Sequence, residues 1–506
     1  MPRNRIAAID VGTNSIHMIV AEEQRHGHRV IDKEKEMVQL GRGSLEGRPL
    51  TDDAIERGVE ALRKMAGIAE RWKVSEVVAV ATSAIREAPN GRRFITAAQK
   101  AAGFKIRVIS GEEEADYIYR AVRSAIDFHG GTALAIDIGG GSVELIVGTA
   151  DEVYLTSSEP LGALRMSQMF DLDRSATPAM VDECRAYVRK RLKKTLPPIA
   201  TIGFDFTVGT SGTIATLSAL ASSGDTMASG LRWLARKRLR ELIDILTPLS
   251  FAERAKRFSL DERRAETILG GAIVLDEIMR ELDIEQIRSC DAALREGIIE
   301  HILDRKRAPQ KGGSVRRSSV MALVDRSDIE RTHASHVARL ALRIFDQTQE
   351  LHHLRTGERE LLEYAALLHE VGMHVSYQDH QKHSYYLISH AGLRGFTTDQ
   401  VAVTANVARY YRKSPPNAED DNFRQLSSSQ QDVVRKLVAI LRIADALDRG
   451  RRRAVRDVAV DFTDKAVNFR VRLRGDADVE LDAAENRAKF FGKVFERDVD
   501  FESSAA

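Results

Sequence analysis

The sequence is poor in cysteine and has no long uninterrupted apolar run. Its two cysteines, Cys184 and Cys290, allow at most one disulfide bond, which argues against a disulfide framework and favours a reducing cytoplasm. The apolar stretch 132–147 is interrupted by Asp137 and Glu144, and it is shorter than the roughly 20 residues that a membrane-spanning helix needs. No signal peptide is recognisable. We therefore expect a cytoplasmic protein with no membrane partner.

The sequence also lacks an excess of charge of either sign. Its 76 basic and 74 acidic residues nearly balance, so no global polyanion-binding surface and no specific nucleic-acid partner are expected. With 43% hydrophobic and 30% charged residues, the composition is typical of a globular protein. At 506 residues the chain is too long for one core, and about three or four domains are expected.

What the sequence does contain is an internal repeat. Residues 6–21 read IAAIDVGTNSIHMIVA, residues 133–148 read ALAIDIGGGSVELIVG, and seven of the sixteen positions are identical. The polar and glycine matches are Asp10 with Asp137, Gly12 with Gly139, and Ser15 with Ser142. Each copy has an apolar strand that ends in Asp, a glycine-containing turn and a second apolar strand. This pattern predicts two β-hairpins.

The composition of these turns is suited to phosphate. Glycines let the backbone approach a ligand, and unpaired N–H groups with a Ser hydroxyl form a cradle for phosphate oxygens. A carboxylate at the strand end repels phosphate, so it is expected beside a divalent cation or an attacking water. One copy alone is weak evidence and is more typical of an ordinary hairpin. Two copies predict loops that grip a phosphate chain from both sides of a cleft.

Further motifs make the chain resemble the actin, sugar-kinase and heat-shock ATPase superfamily and, within it, the exopolyphosphatase/guanosine pentaphosphatase family. The matching motifs are DVGTNS (10–15), ATSAIREA (81–88), ISGEEEA (109–115), DIGGGSVE (137–144), GTSGTIATL (209–217) and ALREGII (293–299). The resemblance implies an α/β fold of duplicated actin-like ATPase (ribonuclease H-like) domains, then an all-α HD-like domain and a small α+β C-terminal domain. The boundaries that we expect are 1–126 and 127–306 for the actin-like domains, 307–318 for a basic linker, 319–450 for the helical domain and 451–506 for the C-terminal domain.

The resemblance also implies site residues. The catalytic set is Glu114 as the base that activates water, with Arg86 and Glu144. The phosphate-binding set is Gly12, Thr13, Asn14, Ser15, Gly139, Gly140, Gly141, Ser142, Gly209, Ser211 and Gly212. Asp10, Asp137 and Glu144 are the expected ligands of Mg²⁺.

Alternatives stay open for several of these residues. Glu113 competes with Glu114 as the base because three glutamates follow one another, whereas Glu112 is expected only to favour the helix dipole. Arg86 is expected to donate to a phosphate, but a helix-capping role is the alternative. Glu144 has a purely structural alternative. The segment 209–212 resembles a nucleotide contact, which in a polyphosphatase is either vestigial or serves phosphates only.

The second half of the chain has a helical pattern and many histidines. Apolar residues at helical spacing predict a core-facing helix: Val337, Leu340, Ala341 and Ile344. The region resembles an HD-type metal phosphohydrolase, whose ligands would be His336, a His–Asp pair and Asp445. The pair is His369–Glu370 here, and the longer Glu moves the ligand oxygens. We therefore predict a scaffold for dimerisation and substrate holding rather than a metal centre.

The C-terminal region combines a positive run with an alternating pattern. RGRRRAVR (449–456) is either a site for distal phosphates or a solvated helix end. Apolar residues alternate on both sides of a turn at 463–466, which predicts a β-hairpin.

The function that these features predict is exopolyphosphatase, an enzyme that hydrolyses the terminal phosphoanhydride of inorganic polyphosphate and releases orthophosphate. Guanosine pentaphosphate is a second candidate substrate, and the resemblance implies a homodimer. Three alternatives remain: an ATP-dependent phosphotransferase of the acetate-kinase or sugar-kinase type, a non-catalytic guanosine-phosphate sensor, and a metal phosphohydrolase whose site lies in the helical domain.

Overall fold

The computed structural model describes residues 4–24, 27–221, 232–306 and 314–505. They form two compact units, and the second begins at Arg316. Residues 307–313 of the predicted basic linker lie outside the described residues, and the rest of that linker enters a helix that begins at Val315. Within the described ranges, no helix has both the length and the apolarity needed to cross a membrane.

The first unit begins with a mixed five-stranded sheet in the order β3-β2-β1-β4-β5. Its strands are β1 (Arg5–Val11), β2 (Ile16–Glu23), β3 (His28–Glu36), β4 (Glu76–Ala81) and β5 (Ile106–Val108). β1 pairs antiparallel with β2 and parallel with β4. The accompanying helices are α1 (Asp52–Arg71), α2 (Ser83–Glu87), α3 (Gly91–Ala102) and α4 (Gly111–Ala125).

A second sheet of the same unit repeats this arrangement. Its strands are β6 (Ala133–Ile138), β7 (Val143–Gly148), β8 (Val153–Glu159), β9 (Phe206–Thr210), β10 (Arg232–Ala235) and β11 (Gln286–Ser289). The order β8-β7-β6-β9-β11 matches that of the first sheet, and β10 adds an antiparallel edge strand. The helices are α5 (Ala163–Met169), α6 (Pro178–Leu192), α7 (Leu196–Ile202), α8 (Ser211–Ala221), α9 (Arg236–Leu246), α10 (Phe251–Phe258), α11 (Glu262–Glu281) and α12 (Leu294–Lys306).

The two predicted hairpins are confirmed. β1 and β2 form the first, and β6 and β7 form the second. Asp10 and Asp137 occupy the same place, the penultimate residue of the central strand, so the repeat in the sequence is a repeat in the backbone. β6 and β7 are buried along their whole length, as strands covered on both faces are. This burial fixes the position of Asp137.

The second unit consists of helices and a three-stranded sheet. The helices are α13 (Val315–Arg326), α14 (Arg331–Gln347), α15 (Gln349–His352), α16 (Thr356–Leu368), α17 (His380–His390), α18 (Thr398–Tyr410), α19 (Asp421–Arg424), α20 (Ser428–Ala446) and α21 (Asp478–Phe495), with a 3₁₀ turn at Val371–His374. The strands are β12 (Val455–Phe462), β13 (Ala466–Leu473) and β14 (Asp498–Ala505), in that order in the sheet.

Two predictions about this unit are confirmed. The apolar stripe of α14 is buried, and β12 and β13 form the antiparallel hairpin expected around residues 463–466. The helices and the small sheet share one hydrophobic core, in which Leu340 and Ile440 belong to the same cluster as Phe469 and Phe491. The predicted boundary at residue 450 therefore lies inside one compact unit.

Candidate active site

A cavity of about 140 Å³ lies where the turns of the two hairpins of the first unit meet. Thirteen of the predicted site residues line it: Asp10, Gly12, Thr13, Asn14, Ser15, Glu114, Asp137, Gly139, Gly140, Gly141, Ser142, Ser211 and Gly212. Arg86, Glu144 and Gly209 do not. Most of the residues that the sequence grouped by motif are thus brought together around one space.

The two turns touch because the second has no side chains. A methyl group on Gly140 would lie 3.1 Å from Thr13 Cβ and 3.4 Å from Asn14 Cβ. One on Gly141 would lie 2.4 Å from Ser83 Oγ. Glycine is therefore required here for close approach of one backbone to the other turn.

A single buried arginine ties the second hairpin to α2 across this contact. Arg165 Nε donates to the carbonyl of Gly141 at 2.9 Å, and its Nη2 donates to both oxygens of Glu87 at 2.8 Å. Ser83 Oγ also donates to Glu87, at 2.7 Å. The turn is held at a fixed distance from the first half of the unit. No local pattern in the sequence pointed to Arg165, since its partners Gly141 and Glu87 are remote in the chain.

The start of α4 distinguishes the adjacent glutamates. The hydroxyl of Ser110 accepts the N–H of Glu113 at 3.1 Å, and the Glu113 carboxylate accepts the N–H of Ser110 and ion-pairs with Arg107, which forms a capping box. With Glu113 turned outward by these bonds, the next side chain points inward. Glu114 is 7% exposed and lines the cavity.

Arg86 contacts Glu114 rather than the cavity. Its Nη1 donates to Glu114 Oε2 at 3.1 Å and to the carbonyl of Ile109 at 2.9 Å. The sequence predicted a guanidinium aimed at a phosphate. In the structure Nη1 donates to a carboxylate and a carbonyl, so Arg86 holds Glu114 in place, and its contact with a phosphate stays a prediction.

Glu144 and Gly209 also lie outside the lining, for different reasons. Glu144 is opposite Asp137 in the β6–β7 ladder and accepts a hydrogen bond from Ser158 Oγ at 2.9 Å. Gly209 is a packing position, because a methyl group there would come within 2.6 Å of Ile214 Cγ2. The phosphate-binding role predicted for Gly209 stays a prediction, and the structure adds a packing constraint from Ile214.

The site concentrates buried carboxylates. Burial raises the pKa of Asp10 to about 6, although Arg295 opposes the shift. Burial, with Glu114 and Asp10 nearby, raises the pKa of Asp137 to about 8. Burial and the nearby Asp137 raise the pKa of Glu144 to about 8. Burial and the nearby Glu144 raise the pKa of Glu114 well above its ordinary value. The raised pKa values mean that the cations nearby do not fully balance the charge of these acids when they are ionised.

These acids fit a hard divalent cation. Asp10 Oδ1 is buried and has no hydrogen-bond partner among the described residues. Carboxylate oxygens are the ligands that Mg²⁺ and Ca²⁺ prefer. Within the described part of the chain, no three of these acids bring ligand atoms within 4.8 Å of one another. A cation held here would keep several water ligands, which is the usual behaviour of Mg²⁺.

A basic side of the cavity was not predicted. Arg264 of α11 and Arg295 of α12 line it, and Arg264 Nη1 donates to Thr213 Oγ1 at 3.3 Å. The signal for Arg295 was present, because the motif ALREGII contains it. Guanidinium groups suit phosphate oxygens in geometry and in charge.

His17 is a further residue that the sequence analysis missed. Arg295 Nη1 lies 3.1 Å from His17 Nδ1 and only donates, so Nδ1 accepts and Nε2–H donates to Ser15 Oγ at 2.6 Å. Burial, Arg295 and Lys35 lower the pKa of His17 to about 2, so the ring is neutral. The repeat contained the signal, since His17 aligns with Glu144.

Comparison with known proteins finds a matching family model for each of the two units. The model of the Ppx/GppA phosphatase family matches residues 19–306, and that of Ppx/GppA phosphatase domain III matches residues 315–484. An exopolyphosphatase from Cytophaga hutchinsonii is 26% identical over 60% of this chain and 98% of its own, with a TM-score of 0.57. A Ppx/GppA family member from Aquifex aeolicus is 27% identical over 61% of this chain and 100% of its own, with a TM-score of 0.52. With the two mixed sheets, these likenesses fit an actin-like two-domain fold for the first unit.

Proposed function

Because the chain belongs to the Ppx/GppA phosphatase family, we propose that it is an exopolyphosphatase, which hydrolyses the terminal anhydride of inorganic polyphosphate and releases orthophosphate. One observation carries the proposal. Two glycine turns close on one cavity, and a buried glutamate from a third element lines it. A similar solved structure is named an exopolyphosphatase, which agrees with this assignment.

The turns supply donors for a terminal phosphate. The backbone N–H groups of Thr13, Asn14, Gly140 and Gly141 have no acceptor among the described residues. The hydroxyl of Ser15 and the guanidinium of Arg295 add side-chain donors at the same cavity. In phosphoryl transfer the charge spreads over the equatorial oxygens, so fixed donors around them stabilise the transition state.

Glu114 is the proposed general base. Arg86 donates to Glu114 Oε2, which fixes the carboxylate and leaves Oε1 for the attacking water. Water attacks the terminal phosphorus, its proton passes to Glu114, and the bond to the bridging oxygen breaks. The shortened chain leaves with the electron pair of that bond, and orthophosphate is released.

Asp10, Asp137 and Glu144 are the residues that would hold Mg²⁺. The unpartnered Asp10 Oδ1 and the raised pKa values of all three acids support this choice. A bound Mg²⁺ would offset the charge of the phosphate oxygens. A nearby cation would also lower the pKa values of these acids and favour their ionised form.

The finer predictions belong to the same proposal. We assign residues 319–450 to an HD-like helical part and 451–506 to a small α+β part, which share one hydrophobic core within the second unit. The helices α13 to α20 and the β12–β13 hairpin support this assignment. Guanosine pentaphosphate presents the same terminal anhydride and is proposed as a second substrate. The homodimer rests on the family resemblance, and the cytoplasmic location rests on the low cysteine content of the sequence.

The test compares neighbouring glutamates. Glu114→Gln keeps the size of the side chain and removes the base, so we expect kcat for phosphate release from polyphosphate to fall by about 10²–10⁴-fold. Polyphosphate binding should change little. Glu113→Gln, one residue away and outside the cavity, is the matched control and should stay within about twofold of wild type.

The reaction mixture contains polyphosphate and Mg²⁺ but neither ATP nor an acceptor. A hydrolase releases phosphate under these conditions, whereas a phosphotransferase of the kinase type does not. Near-normal turnover in Glu114→Gln would refute the assigned base. Rates of phosphate release from polyphosphate chains of graded length and from guanosine pentaphosphate, measured side by side, rank the substrates.

A further inference from the structure

A second group of metal-ligating side chains lies buried in the other unit, independent of the proposed function. His333 of α14 and His369 and Glu370, which directly follow α16, bring three candidate ligand atoms within 4.8 Å of one another. Asp445 of α20 adds a fourth, since its Oδ1 lies 3.8 Å from His333 Nε2 and 3.5 Å from His369 Nε2. All four side chains are buried.

The imidazoles are oriented as metal ligands are. His369 Nδ1 lies 2.6 Å from the carbonyl of Ala366, which only accepts, so Nδ1 carries the proton and Nε2 presents its lone pair. His333 Nδ1 is 2.8 Å from Asp448 Oδ2 in the same pattern. A metal-binding histidine usually donates its other N–H to a carbonyl or carboxylate in this way.

One of these nitrogens has no partner. His369 Nε2 is buried and makes no hydrogen bond to any described residue, although it faces Asp445. The contacts of His333 Nε2, 3.9 Å to Glu370 Oε2 and 3.8 Å to Asp445 Oδ1, are likewise too long for hydrogen bonds. Donor atoms about 2.1 Å from one ion lie about 3.0–3.4 Å apart, so a contraction of about half an ångström would close the group around an ion.

Glu370 reaches the imidazoles despite its extra methylene. Arg451 Nη2 donates to Glu370 Oε1 at 2.5 Å, which leaves Oε2 turned toward His333. The histidine that the sequence analysis named, His336, is not in this group, because its Nε2 is 2.9 Å from the carbonyl of Val455. The sequence-based set therefore had the wrong histidine of α14, and the structure replaces it with His333.

In place of the metal-free scaffold that the sequence predicted, we propose that His333, His369, Glu370 and Asp445 bind one divalent first-row transition-metal ion. Two imidazoles and two carboxylates are a mixed N/O donor set, which suits Zn²⁺, Mn²⁺ or Fe²⁺ and disfavours Mg²⁺. The ion ties α14, the end of α16 and α20 together and balances the two buried carboxylates.

The test uses the full-length protein after removal of metals with a chelator. Zn²⁺ is titrated by calorimetry in excess Mg²⁺, which competes for the carboxylates of the first unit. We expect one tight Zn²⁺ site per chain. Co²⁺, used as a second probe, should give the visible absorption of a low-coordinate N/O site, a readout that does not depend on activity.

Variants locate the site. Asp445→Asn and His333→Asn each remove one ligand and should weaken Zn²⁺ binding by about 100-fold or more. His336→Asn is the matched control on the same helix and should bind Zn²⁺ as wild type does, as should Asp10→Asn in the first unit. Circular dichroism checks that each variant is folded.

Three outcomes would overturn the proposal: no Zn²⁺ site in wild type under excess Mg²⁺, loss of the site in Asp10→Asn, or equal affinity in His333→Asn and His336→Asn. If Asp445→Asn and His333→Asn both fail to fold, the wild-type Co²⁺ spectrum still decides. Absence of the absorption band would then reject the site, and its presence in Asp10→Asn would support it.

Discussion

The two hairpins of the first unit have the same backbone but different residues opposite their aspartates. Asp10 pairs across its ladder with His17, and Asp137 pairs with Glu144. His17 is a neutral ring that contacts Arg295, whereas Glu144 is a second buried acid. The repeated backbone thus supplies the cradle, and the repeated aspartates line its acidic side. Of the residues that are not repeated, Glu144 adds an acid opposite Asp137, and His17 contacts Arg295, which lines the basic side.

The turns of the two hairpins also have different residues on the same backbone. The first turn carries Thr13 and Asn14, and the second consists of Gly139, Gly140 and Gly141. None of these glycines has a positive φ, so they are needed for the space they leave and not for an unusual backbone conformation. One turn provides side chains, and the other provides room for them.

The largest effect is expected where the two turns touch. Gly140→Val places a branched side chain against Thr13 and Asn14, pushes the hairpins apart and should lower phosphate release by about 100-fold or more. Gly139→Ala is the matched control, since its methyl group would meet only Ser142 O, at 3.4 Å. Melting temperatures separate misplacement from unfolding. Activity of folded Gly140→Val close to that of the control would mean that the turns do not act on one phosphate.

A smaller effect distinguishes the acidic and basic sides. Glu144→Gln should raise the Mg²⁺ concentration needed for half-maximal rate by about 10–100-fold, because it removes a proposed ligand charge. His17→Gln should leave the Mg²⁺ dependence unchanged and raise KM for polyphosphate a few-fold, because Ser15 and Arg295 lose their positioning contact. Rates measured over a grid of Mg²⁺ and polyphosphate concentrations give both parameters. If both variants shift the same parameter, the division into sides is wrong.

The sequence predicted those features that depend on local pattern. The hairpins and the apolar stripe of α14 follow from spacing within a few residues. Ser110 and Glu113 have the spacing of a capping box, which is a local signal that the sequence analysis did not use to separate Glu113 from Glu114. Predictions that depend on helix rotation or on remote partners were less successful. His333 and His336 are three residues apart on one helix, so both lie near the same face, and only packing against α16 and α20 determines which one turns inward.

The smallest effect is expected at Ser211. Unlike the hairpin glycines, this residue has a positive φ and carries a side chain. Ser211 lines the cavity with φ of 84°, a conformation that suits glycine, yet a side chain is present and its Oγ accepts the N–H of Thr213 at 3.3 Å. Ser211→Gly relieves this strain and loses only a weak cap, so we expect a gain in the free energy of unfolding of about 1 kcal/mol. Ser211→Ala keeps the strain, loses the cap and should be less stable than wild type.

Denaturant unfolding of the two variants measures this difference, and the KM for polyphosphate measures the loss of the hydroxyl, which both share. A common rise in KM with opposite changes in stability would show that Ser211 is retained for its hydroxyl at some conformational cost. If Ser211→Gly were the less stable of the two, the strain would not be stored at this residue. The role of Ser211 would then be structural, and the cavity would be built by the two hairpins with Glu114.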